Sequence, residues 1–185
     1  QGNIEFLNSL DLLGPDTALA HCIWLSKAEQ SLLVKTGTSV LHCPSANLKL
    51  ASGFAAIPEM LEQGINVSIG ADGAPCNNNM NIFEEMRLAA LLQKYRLSDA
   101  RILPARRVVE MATINGAKTL GLDSKIGSLE SGKKADIILL DLQKFHSIPA
   151  GNIYSQIVYA ARPENVEIVI IDGNIVMRNQ KFETL

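Results

Sequence analysis

The sequence predicts an α/β fold. It reads as three βα units of a partial (β/α)8 barrel, followed by a second region of hairpin-forming strands. Three observations carry this. Short apolar segments alternate with helical ones over residues 1–122, joined by short links, as parallel strands with right-handed crossovers require. Each of the three apolar segments closes on a polar, reactive residue. Thr17 to Ala20 ends at His21-Cys22, Thr38 to Leu41 at His42-Cys43-Pro44, and Ile65 to Ile69 at Gly70-Ala71-Asp72-Gly73. Strand ends of this kind form the C-terminal rim of a (β/α) barrel. Near Asp123 the periodicity then changes from helical to alternating, so residues 123–185 are expected to form a different layer or domain.

Each element has a local reason. Residues 4 to 13 read as a helix and 17 to 23 as a strand. Ser26 is an N-cap with Glu29 at the capping-box position, so a helix runs from Lys27 to Thr36 and Gly37 ends it. Thr38 to Leu41 is the next strand, Pro58 to Gln63 a short helix closed by Gly64, and Asn66 to Gly70 the third strand. Ile82 to Tyr95 places Phe83, Met86, Leu88, Leu91 and Leu92 on and around one stripe, which predicts an amphipathic helix. Pro104 to Leu120 reads as one further helix with proline in its first turn. Lys134 to Asp141 reads as a strand. Glu167 to Ile171, Asp172-Gly173 and Asn174 to Met177 form a hairpin signal. A complete eight-stranded barrel takes about 250 residues, so three strands make only part of one.

Composition narrows the function classes. The 185 residues are 47% hydrophobic and 19% charged, an ordinary globular balance with ample core. Net charge is −2 with no basic cluster, which argues against nucleic acid as the main partner. No apolar run approaches a membrane span, so no membrane partner is expected. Cys22, Cys43 and Cys76 are odd in number and lack CxxC spacing, which suits a reducing, cytoplasmic setting. They read as small residues beside a pocket, ahead of thiol catalysis.

Four motifs in order then resemble one family. His42-Cys43-Pro44-Ser45-Ala46-Asn47-Leu48-Lys49-Leu50-Ala51-Ser52-Gly53 is similar to the seventh-strand motif of the amidohydrolase superfamily. Gly70 to Ala74 with Asn77-Asn78 resembles its eighth-strand motif. Met111 to Ala117 and Ile126 to Asp136 resemble the stretch where these enzymes leave the barrel and enter a small β-sandwich. The nearest branch holds triazine chlorohydrolases, guanine deaminases and the deaminases of methylthioadenosine, S-adenosylhomocysteine and deoxyadenosine. The resemblance implies the last three βα units of a metal-dependent hydrolase barrel, then part of a β-sandwich built from both chain termini. It implies hydrolytic deamination of a purine or related N-heterocycle by a metal-bound hydroxide, with zinc or iron as the metal. Triazine-type dechlorination is the alternative chemistry.

By the same resemblance, Asp72 is a metal ligand that also shuttles protons, and His21 contacts the attacking hydroxide or the substrate. His42 and Asn47 line the substrate pocket. The family also carries a His-X-His pair on its first strand and a further histidine on its fifth. His21, His42 and His146 make neither motif, so the chain resembles the portion that follows the fifth strand. On this reading the chain alone holds metal weakly or not at all and is inactive. It is then a structural or associating piece. Asn77 to Asn79 are expected to hold the loop after Asp72, and His146 to be structural. Glu84 and Glu85 are expected to be solvated or paired with Arg87 or Arg96. A partial barrel also leaves strand edges near Thr17 and Asn66. The faces of Ala18, Ala20, Val40, Val67 and Ile69, or of their alternates, then lack an opposite wall. The expectation is a homo-oligomer, or association with the missing N-terminal part.

Overall fold

A computed structural model describes residues 2–149 and 151–183. The ends of both expected regions, Gln1, Thr184 and Leu185, lie outside the described residues, as does Ala150. The chain builds two sheets. The first is parallel, in the order β1 (Ala18–Ala20), β2 (Ser39–His42), β3 (Val67–Ile69). The second is antiparallel, in the order β4 (Ile137–Leu140), β5 (Val166–Ile171), β6 (Asn174–Arg178), β7 (Lys181–Phe182).

Helices fill the connections of the parallel sheet. These are α1 (Asn3–Ser9), α2 (Lys27–Thr36), α3 (Pro44–Lys49), α4 (Ile57–Glu62), α5 (Ala74–Asn77), α6 (Ile82–Leu97), α7 (Ala105–Ala112) and α8 (Ile114–Thr119). The predicted capping box of α2 forms. Ser26 Oγ accepts from the Glu29 amide at 3.2 Å, and Glu29 Oε2 accepts from the Ser26 amide at 3.0 Å. Gly37 closes the helix in the left-handed region at φ 72°. The expected single helix from Pro104 to Leu120 is two helices, because Thr113 breaks away at φ −126°, ψ −94°. The expected helix over residues 4–13 stops at Ser9. Residues 153–160 form a helix that sequence reading left out: α9 (Ile153–Ser155) widens into a π-helical turn over Gln156–Ala160.

Register separates the two faces of the parallel sheet. Leu19 pairs with Val40 and Val40 with Val67. Val40 and Val67 are fully buried, packed in one cluster with Leu33, Ile57, Met60 and Met111. Ala18 and Ala20 pair with Ser39 and Leu41, so they stand on the opposite face and are exposed. The expectation that Val40 and Val67 lack a covering wall is therefore corrected: α2, α4 and α7 supply the side chains that cover them. The outer edge of β3 is also partly closed. The Asn66 carbonyl accepts from Val40, so alternation turns the Val67 carbonyl outward, where Asn115 Nδ2 donates to it at 2.9 Å. The core cluster continues through Val158 and Ala161 of the second region. His146, expected to be structural, bonds through Nε2 to Asn165 Oδ1 at 2.8 Å, and Asn165 is fully buried.

Candidate active site

The expected rim assembles at the C-terminal ends of β1, β2 and β3. His21 follows β1 with φ 67°, and Asp72 follows β3 with φ 61°. Cys22 is left-handed too, at φ 48°. Left-handed backbone costs an L-residue on the order of 1–3 kcal/mol, and such strain collects at functional sites. Here it turns the imidazole and the carboxylate towards each other. His21 Nε2 lies 3.7 Å from Asp72 Oδ2, and the two side chains are 39% and 25% exposed. The distance is too long for a direct hydrogen bond and leaves room for a shared water, proton or cation.

Asn47 fixes the histidine. It sits in α3, is 4% exposed, and presents Oδ1 to His21 Nδ1 at 2.8 Å. A carbonyl oxygen only accepts, so Nδ1 donates, and in the neutral imidazole the lone pair is then on Nε2, directed at the Asp72 side. Asn47 therefore orients a reactive group, in addition to any contact with a ligand. Its own Nδ2 is buried without a hydrogen-bond partner. His42, at the end of β2, is 2% exposed, and both of its ring nitrogens are buried and unpartnered. Burial, with His21 close by, pulls its pKa down from the ordinary 6.5 to about 4. It is a neutral imidazole at pH 7.

The loop after Asp72 is held much as expected. Asp72 Oδ1 accepts from the Gly73 amide at 2.6 Å, and Asn77 Nδ2 donates to the Ala71 carbonyl at 2.6 Å. Lys49 Nζ donates to the Pro75 carbonyl at 3.0 Å and also reaches Asn78 Oδ1, so α3 is tied to the same loop. Glu85 corrects its expectation. It is 1% exposed and meets neither Arg87 nor Arg96. It accepts instead from the Ser45 amide at 3.1 Å and from Asn77 Nδ2 at 2.8 Å. Its place on a helix opened by Glu84-Glu85 looks like a solvated first turn, so the only usable signal was its position in the buried stripe beside Met86 and Ala89. Cys22 and Cys43 are buried, and burial pushes each thiol up to about 11. That suits inert packing groups and argues against thiolate chemistry.

The donors fit a divalent metal in kind but not in number. A carboxylate and an imidazole lone pair 3.7 Å apart match the spacing of two ligands on one zinc, about 3.4 Å for tetrahedral bonds of about 2.1 Å. A catalytic zinc site takes three protein ligands. Among the described residues no group of three or more His, Cys, Asp or Glu is placed to hold a metal ion.

Comparison with known proteins identifies the family. Residues 1–176 match the amidohydrolase family. The chain is 45% identical over 182 residues to the 5-methylthioadenosine/S-adenosylhomocysteine deaminase of Moorella thermoacetica, covering 98% of this chain and 42% of that protein. It is 44% identical over 183 residues to the 5′-deoxyadenosine deaminase of Methanosarcina mazei, covering 99% of this chain and 42% of that protein. An adenosine deaminase from Xanthomonas campestris, solved with bound zinc, superposes with a TM-score of 0.97 at 36% identity over 100% of this chain and 42% of its own. The zinc complex of an atrazine chlorohydrolase from Arthrobacter aurescens superposes at 0.92 with 25% identity, over 98% of this chain and 40% of its own. The chain thus spans about two fifths of the length of the relatives it matches, with a mixed α/β fold that corresponds to the C-terminal part of their hydrolase domains. The match over residues 1–176 establishes that the chain belongs to the amidohydrolase family.

Proposed function

We propose that this chain supplies one wall of the active site of a metal-dependent aminohydrolase that deaminates a purine or related N-heterocycle. The observation that carries the reading is the Asp72–His21 pair at 3.7 Å, with its tautomer set by Asn47. A divalent metal such as zinc, when bound, lowers the pKa of a coordinated water towards 7. Asp72 would be one of its ligands, completed by donors beyond those described. Asp72 accepts a proton from the attacking water and returns it to departing ammonia. His21 Nε2 accepts a hydrogen bond from the attacking oxygen or holds the substrate in line. His42 and the Nδ2 of Asn47 would offer polar atoms to the substrate. Residues 1–122 act as the barrel portion and 123–185 as the sandwich portion.

Deamination is preferred over dechlorination because the 45% and 44% identical relatives are deaminases, while the chlorohydrolase is 25% identical. A second statement belongs to the same proposal: the 185-residue chain alone would hold zinc weakly and turn nothing over, since His21, His42 and His146 make neither the His-X-His pair nor the fifth-strand histidine of the family. Metal analysis after dialysis, with ammonia and chloride release measured on 5′-deoxyadenosine, guanine and a chlorotriazine, tests both. Weak zinc and no turnover by the chain alone, with ammonia release by an enzyme holding the full donor set, is expected. Tight stoichiometric zinc with turnover by the chain alone overturns the second statement. Chloride release without ammonia release overturns the first.

A further inference from the structure

We propose that Glu85 is a positioning residue that sets the distance between His21 and Asp72; this rests on reading those two as the reacting pair. Glu85 lies in the first turn of α6, outside the rim, yet it is 1% exposed. Among the described residues it takes part in no ion pair. A carboxylate buried without a cation is costly, and its two oxygens must be satisfied by hydrogen bonds. Each oxygen serves one arm of the site. Oε2 accepts from the Ser45 amide at 3.1 Å, in the first turn of α3. That helix carries Asn47, whose Oδ1 holds His21 Nδ1 at 2.8 Å. Oε1 accepts from Asn77 Nδ2 at 2.8 Å, and the same amide donates to the Ala71 carbonyl at 2.6 Å, next to Asp72. One side chain therefore links α3, which holds His21 through Asn47, to the loop that carries Asp72. A carboxylate suits the position because both arms present donors. An amide can satisfy only one of them.

The test compares three variants of the enzyme holding the full donor set by ammonia release, thermal melting and 15N NMR of the His21 imidazole. Glu85→Gln keeps the volume and loses one acceptor. It is expected to lower kcat by about tenfold or more, with KM changed by less than about threefold, and to mix the His21 tautomers. Asn77→Ala cuts only the Asp72 arm, so kcat falls while the His21 spectrum stays as in the parent. It also serves if Glu85→Gln does not fold. Gln93→Leu removes another fully buried polar group of α6, one that donates to the Ala55 carbonyl at 2.9 Å. It is expected to lower the melting temperature and leave kcat and the His21 spectrum alone. A Glu85→Gln protein with the parent's kcat and His21 spectrum overturns the proposal. So does a Gln93→Leu protein that loses kcat in proportion to stability, since Glu85 would then act only through α6. The imidazole spectrum needs no turnover. If the enzyme holding the full donor set deaminates nothing, the functional reading fails, while the tautomer comparison still decides the role of Glu85.

Discussion

The rim above the parallel sheet and the antiparallel sheet behind it are built on opposite terms. In the sheet of β4 to β7, the left-handed positions all lie in hairpin turns, where turn geometry calls for them. Asp172 and Gly173 take φ 48° and 80°, the two left-handed positions of a type I′ hairpin, and the flanking strands pair from Ile171 and Asn174 outward. Its strands are half-covered, and Ile138, Leu139 and Ile171 are exposed. At the rim, local rules are broken. His21, Cys22 and Asp72 are left-handed without being glycine, His42 is buried with no partner, and Glu85 is buried with no cation. Regions that violate local preference are maintained by the surrounding structure, and they are where chemistry is expected. The contrast points to the rim as the functional end of the molecule.

The largest way to break the contrast is at Asp72. Asp72→Asn in the zinc-loaded enzyme is expected to lower kcat by about a thousandfold, because an amide cannot accept a proton at neutral pH. Circular dichroism should stay native, since the carboxylate makes only a local bond to Gly73. Retained turnover would falsify its role as proton shuttle.

The next effect is on stability. His42 has a folded pKa of about 4, below its ordinary 6.5, so the unfolded chain binds the proton first as pH falls. Its contribution is fully present above 6.5 and is lost as pH drops towards 4, a change of roughly 3 kcal/mol. Urea midpoints across that window should fall in the parent and stay flatter in His42→Gln. An equal slope in both would remove His42 from the account.

Asn47→Leu should lower kcat by about tenfold to a hundredfold by freeing the His21 tautomer, the usual effect of losing a group that orients an imidazole. Unchanged kcat with a perturbed KM would assign Asn47 to the substrate alone.

Two glycines sharpen the comparison at the smaller end. At Gly53, φ is 116° and an added Cβ would lie 2.8 Å from Trp24 Cζ2, so Gly53→Ala should cost about 2 kcal/mol and move the fluorescence of the sole tryptophan. At Gly173, φ is 80° and nothing lies within 4 Å of an added Cβ, so Gly173→Ala should cost only about 1 kcal/mol, with no change at Trp24. Equal costs, read by urea denaturation, would mean that the rim is no more tightly built than the hairpin.

What could be read from the sequence follows the same division. The strands, the Ser26–Glu29 capping box and the Asp172-Gly173 hairpin were legible because one local signal decides each. The last hairpin was not, since its turn is Asn179-Gln180, left-handed at both positions without a glycine to announce it. Helix α3 was hidden because His42-Cys43-Pro44 reads as a shaped turn, although proline at the helix start favours what forms. The break at Thr113 lies inside a continuous helical pattern, and tertiary packing against β3 decides it. At the site, His21, His42, Asn47 and Asp72 were proposed from strand ends and from the family resemblance. The Asn47–His21 bond and the burial of Glu85 could not be, because both depend on contacts 26 and 40 residues apart in sequence.

The most direct test is to locate a bound substrate in the Asp72→Asn enzyme, which should hold 5′-deoxyadenosine without consuming it. A crystal structure or amide-shift mapping would show where the ligand lies. The account predicts the purine base against His21, His42 and residue 72, with perturbed amides confined to the loops after β1, β2 and β3. A ligand seated against β5 and β6, with the rim amides unmoved, would contradict it.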